Sequence, residues 1–156
     1  MSSYKQEAEV LRLLLCYGCT SGAKIITWAD ETIMAESDID DNLIELSTES
    51  PDKTPALLSR LSDIAVSADK FAALRTALGR MHDIVANDSA EDLAGFAAGL
   101  GNVAREYNNQ LPDDLSFLKT IKEQFEQANH DGGNAVTVAN QAFLQRLKQF
   151  KDASAN

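Results

Sequence analysis

The sequence predicts an all-α fold, a single-domain helical bundle or orthogonal array of about seven helices. Apolar residues recur at spacings of three and four along nearly the whole chain, the signature of helices with one buried face. Helix start and stop residues punctuate those runs, and the connections between them are short and polar. No run makes a convincing strand: Leu11–Leu15 is leucine-rich and continuous with its helical flank. At 156 residues the chain can bury a core without staples, and it carries no fixed-period repeat or low-complexity linker. One domain is therefore expected over residues 1–156, with a tail fraying from about Asp152.

The first helix should run from Ser3 to about Tyr17, burying Val10, Leu11, Leu14 and Leu15 and stopping at Gly18. Thr20 or Ser21 can cap a second, in which Ile25, Trp28, Ala29 and Ile33 share a face. A short third, from about Asp38 to Thr48, places Ile39, Leu43 and Leu46 inward, and Pro51 ends it. Thr54–Pro55 starts the next, lined by Leu57, Leu58, Leu61, Ile64 and Ala65. Asp69 opens a helix with Phe71, Leu74, Leu78, Met81 and Val85 on its seam. Ser89 with Asp92 resembles a capping box and leads a segment that reaches Tyr107. Within it, Gly95, Gly99 and Gly101 imply either close helix approach or a break near Gly99–Gly101. Asn108–Asn109 ends the segment, and Pro112 restarts the chain toward Phe125. After the loop HDGGN, a last helix presents Val136, Ala139, Phe143, Leu147 and Phe150.

Composition narrows the function classes. The N-terminal apolar run is too short for a signal peptide or a membrane span, so a cytoplasmic location is expected. A net charge of −10 sets the chain against nucleic acid and anionic membranes. That charge is concentrated: no Lys or Arg occurs between Lys24 and Lys53, where nine acidic residues fall. Asp41, Glu45 and Glu49 are spaced four apart, which on a helix makes one acidic stripe. Such a stripe is either a solvated face or a docking surface for a basic partner. The lack of any basic residue favours docking, with Asp30, Glu31, Asp38, Asp41, Glu45 and Glu49 as the partner-binding residues.

Other motifs are weaker. Asp38, Asp40, Asn42 and Glu49 occupy calcium-loop positions, but Leu43 stands where the loop needs glycine. A zinc site would need both His82 and His130, and neither has a neighbour at ligand spacing. His82 lacks a phosphotransfer context, His130 has no nucleophile nearby, and Trp28 is read as core. The glycines at 95, 99 and 101 follow no strand and precede no lysine, so they are no phosphate loop. No metal or cofactor is expected.

Cys16 and Cys19, in the run CYGC, are the only cysteines and form the alternative catalytic pair of a thiol–disulfide protein. The stretch EAEVLRLLLCYGCTSGA resembles the alkylhydroperoxidase-type pattern, in which a helix leads into CxxC. That family has a histidine four residues after the second cysteine, where this chain has Ala23, and its upstream acid has only Glu7 or Glu9 as counterparts. A second stretch, GAKIITWADETI followed by LIELS, is similar to a helix pair in small, all-helical bacterial proteins, some associated with toxin–immunity systems. That resemblance implies an all-helical, non-enzymatic protein whose acidic surface would bind a basic toxin such as a nuclease.

Overall fold

The computed structural model describes residues 3–154, and among them it is all-helical, with nine α-helices, one 3-10 helix and no strand. The helices are α1 (Tyr4–Cys16), α2 (Gly22–Ala35), α3 (Asp41–Ser47), α4 (Thr54–Ile64) and α5 (Lys70–Val85). They continue with α6 (Ala90–Leu100), α7 (Val103–Glu106), the 3-10 helix Asp113–Lys119, α8 (Ile121–Asp131) and α9 (Ala135–Ser154). The chain forms two compact units, one through Ala77 and one from Leu78, so the division falls inside α5.

The helix count exceeds the expected seven for local reasons. The segment from Ser89 breaks where the glycines allow it: α6 ends at Leu100, Gly101 caps it, and α7 begins two residues later. Asn108 and Asn109, at φ of 54° and 59°, then turn the chain through the left-handed region that asparagine tolerates. The run from Pro112 is divided as well, into the 3-10 helix and α8, with Thr120 between them. Of the tail expected to fray, residues 152–154 form the end of α9, and residues 155–156 lie outside the described residues.

In the first unit α1 packs on α4, while α3 packs on both α2 and α4. Its core is aliphatic: Ile25, Leu43, Leu46, Leu57, Leu61 and Ile64 are fully buried. Each such side chain contributes about 2 kcal/mol by leaving water. Ser3 and Ser21 cap α1 and α2 by accepting the amides of Gln6 and Lys24, each at 3.3 Å. Gly22, the first residue of α2, lies against the backbone of Pro51; a Cβ there would stand 1.8 Å from the Pro51 carbonyl oxygen. Only glycine lets α2 start so close to the loop that ends α3.

Among the described residues of this unit, one charge is buried. Glu9 is 1% exposed, and its carboxylate is gripped by Arg12, whose Nε donates at 2.6 Å and Nη2 at 3.2 Å. Lys70 Nζ adds a third cationic contact at 3.6 Å while donating to the Ala65 carbonyl at 2.9 Å. A buried carboxylate is tolerable only with such compensation. The network ties the start of α5 to α1, and a second link, between the Gln6 amide and the backbone of Asp69, ties the residue before α5 to α1.

In the second unit α6, α8 and α9 pack on one another, with the 3-10 helix against α7 and α8. Here aromatic residues join a core of aliphatic ones such as Leu100, Leu115 and Leu147. Phe143 meets Phe125 edge-on and Phe96 at a tilt, and Phe117 stacks on Phe150, every centroid pair at 6.1 Å. Gly79 lies so close to Lys151 of α9 that a Cβ would be 2.9 Å from its Cα. The tightest approaches are thus at Gly22 and Gly79; of the three glycines expected to allow close packing, Gly101 does so, with a Cβ there 3.3 Å from Lys122 Cβ of α8, whereas Gly95 and Gly99 face open space.

Candidate functional site: an acidic face on the first unit

The acidic residues of α2 and α3 are set out by local helix chemistry. Asp40 is the N-cap of α3; its Oδ1 accepts the Asn42 amide at 2.8 Å, and its own amide donates to Tyr4 Oη of α1 at 3.1 Å. Asp41 occupies the first turn, where the helix dipole favours a negative charge. Helical winding from Asp41 also departs from a calcium loop, and the described residues contain no group of three potential metal ligands. Asp38 precedes the helix, because α3 begins at Asp41 rather than at the expected Asp38.

The stripe expected from the spacing of Asp41, Glu45 and Glu49 is interrupted. α3 ends at Ser47, so Glu49 lies beyond the helix. Glu45 and Glu49 converge instead on a cation from another helix. Arg60 of α4 pairs with Glu45 at 2.5 Å and reaches Glu49 at 3.7 Å. The absence of Lys and Arg between residues 24 and 53 therefore does not carry over into space at these two positions. Glu45 remains 53% exposed but neutralised, and Glu49 is drawn in to 24%.

The other four expected residues behave differently. Asp30, Glu31, Asp38 and Asp41 are exposed, and none makes an ion pair among the described residues. Near Glu31, α1 and α2 leave an open groove of about 320 Å³ lined by Tyr4, Glu7, Trp28, Glu31 and Glu36. Trp28, expected in the core, is only half-buried: it packs against the aliphatic cluster and also lines the groove. The sequence signal for this role was the single tryptophan with Glu31 one helical turn ahead of it and Glu36 where the helix ends. Beyond α3, the Ser50 hydroxyl donates to Asp52 and holds that carboxyl below its usual range.

The CYGC run is a helix stop. Tyr17 is the C-cap of α1, and Gly18 follows in the left-handed region at φ +75°. The Gly18 amide donates to Leu15 at 3.2 Å and the Cys19 amide to Leu14 at 2.7 Å, which is the Schellman pattern. Cys16 is exposed in the last turn of α1, at the negative end of the helix dipole. Cys19 directs its thiol to the Tyr17 carbonyl at 3.7 Å, and the two cysteines are not joined by a disulfide. Neither histidine lies in the first unit, and Glu9 is engaged by Arg12 and Lys70. No helix among the described residues is long and apolar enough to cross a membrane.

No protein-family model, curated protein or solved structure matches this chain.

Proposed function

We propose that the protein is a non-enzymatic interaction module whose first unit binds a basic protein partner. Asp30, Glu31, Asp38 and Asp41 carry the charge complementarity, and Trp28 serves as the apolar anchor. The observation that supports this most is the groove at Trp28, where an accessible aromatic surface meets Glu7, Glu31 and Glu36. A tryptophan beside carboxylates suits a lysine or arginine side chain, whose methylenes cover the ring while its charge meets the acids. Glu45 and Glu49 support the surface through Arg60 rather than contact the partner. The similarity of the GAKIITWADETI stretch to immunity-type proteins makes inhibition of a basic toxin one form of this role.

Trp28 is the only tryptophan, so its emission reports directly on the groove. With a lysine- and arginine-rich helical peptide as the probe, emission should change saturably, and affinity should fall about tenfold or more as salt rises from about 0.05 to 0.5 M. Reversing Asp30 and Glu31 to lysine should remove the response. Reversing Glu123 and Glu126, exposed on the second unit, alters net charge equally and should leave it intact. Equal losses from both pairs would mean that overall charge alone is read, and the proposal would fail.

A further inference from the structure

A second site, unrelated to the acidic face, lies in the second unit. Between the 3-10 helix, α8 and α9 is a cavity of about 130 Å³ walled by Phe117, Ile121, Phe125, Ala139 and Phe143. Its one charged lining residue is Arg146, whose guanidinium carbon sits 5.1 Å from the centre of the Phe117 ring. We infer that this cavity binds a small carboxylate with an aromatic body, the ring among the phenylalanines and the carboxylate on Arg146.

Size and wall chemistry select the body. The cavity is partly open to solvent, and its volume is close to the roughly 150 Å³ that holds benzene in an enclosed apolar cavity, so one phenyl ring suits this space and a long acyl chain does not. Phe125 and Phe143 already meet edge to face at an interplanar angle of 88°, and an entering ring can extend that arrangement. Removing the ring from water supplies the apolar part of the affinity.

Arg146 selects the charge. In a chain with 24 acidic residues against 14 lysines and arginines, most arginines would be expected to find a carboxylate, yet Arg146 makes no ion pair among the described residues. One face of its guanidinium rests on Phe117, which limits its orientations while leaving N–H donors at the edge. A planar carboxylate takes two parallel hydrogen bonds from such an edge. The other polar group at the mouth, the Gln124 amide, already donates to Thr120 Oγ1 at 3.3 Å. Ala139 and Ala142 keep the space open, since a larger side chain at either would grow into it.

The full-length chain, labelled with 15N, should be titrated with phenylacetate and followed by amide chemical shifts. Saturable shifts should centre on residues 117–125 and 139–146. Benzyl alcohol, with the ring but no charge, should bind at least tenfold more weakly, and benzylamine should not bind there. Arg146→Gln should weaken phenylacetate tenfold or more, and Ala142→Leu should abolish binding by filling the cavity. Ala142 is exposed, so its replacement leaves the core packing in place, and an unchanged shift pattern elsewhere in the spectrum verifies the fold. Equal binding of benzylamine, or undiminished binding by Arg146→Gln, would overturn the assignment of a carboxylate site. Shifts confined to other residues would overturn the cavity itself.

Discussion

The two units have equal numbers of lysine and arginine, seven each, against thirteen acidic residues in the first and eleven in the second. Their surfaces nonetheless differ, because spacing matters more than count. In the first unit nine acids fall in one stretch without a base, and only Arg60 comes in from outside to pair with two of them. In the second, the acids fall in groups of four at most with bases between them, and Asp83 finds both Lys151 at 2.8 Å and His82 at 3.0 Å. The interiors diverge too. The first is aliphatic around a compensated Glu9, whereas five of the six phenylalanines lie in the second. An acidic surface and an aromatic cavity are thus separate consequences of how one chain distributes its residues.

Glycine substitutions should break the comparison most sharply. Gly22→Ala places a methyl 1.8 Å from a backbone oxygen of Pro51 and should destabilise the protein by about 3 kcal/mol or more. Gly95→Ala, inside α6 with open space around it, should instead stabilise by about 0.5–1 kcal/mol. Denaturant midpoints should therefore move in opposite directions, and a shared direction would mean that the close approach at Pro51 is absent.

Glu9→Ala comes next. It leaves Arg12, with 18% side-chain exposure, without its main partner, at a cost of about 3 kcal/mol. Glu9→Leu should cost less, because an apolar side chain fills the space, although Arg12 must then turn toward water. Urea unfolding of both variants, with Glu123→Ala on the exposed face of α8 as the control, checks the ranking.

The smallest effect is on pH dependence. Asp83 is held below the usual carboxyl range, first by its hydrogen bond from Lys151 and then by that from His82. Because its pKa is lower folded than unfolded, its stabilising contribution is complete above the unfolded carboxyl value of about 4. That contribution is lost as pH falls through the lower folded value. Asp83→Asn should therefore be slightly less stable than the parent at neutral pH and equal to it once both states are protonated. Asp52, lowered by Ser50 in the first unit, should follow the same sign in Asp52→Asn. A gap that widened in acid would contradict both.

Particular residues show how far the sequence could be read. Helix starts at Ser21, Asp69 and Ser89 were legible because caps act within one turn of chain. CYGC was legible as a stop for the same reason, with Gly18 taking the positive φ that ends α1. The acidic face was legible in part: Asp30, Glu31, Asp38 and Asp41 stand exposed, but the Arg60 pairings of Glu45 and Glu49 cross between helices and leave no local trace. Burial of Glu9 was equally hidden, since Lys70 lies far along the chain and only Arg12 stands one turn away.

Sequence alone determined the all-helical class, the main stops and starts, and the concentration of charge between residues 24 and 53, because period, caps and composition are properties of neighbouring residues. Tertiary structure alone decided which acids are neutralised, that Trp28 lines a groove, that Gly22 and Gly79 are the tight contacts, and that three phenylalanines and Arg146 surround one cavity. Those facts depend on pairs of residues distant in the chain, and only packing brings such pairs together.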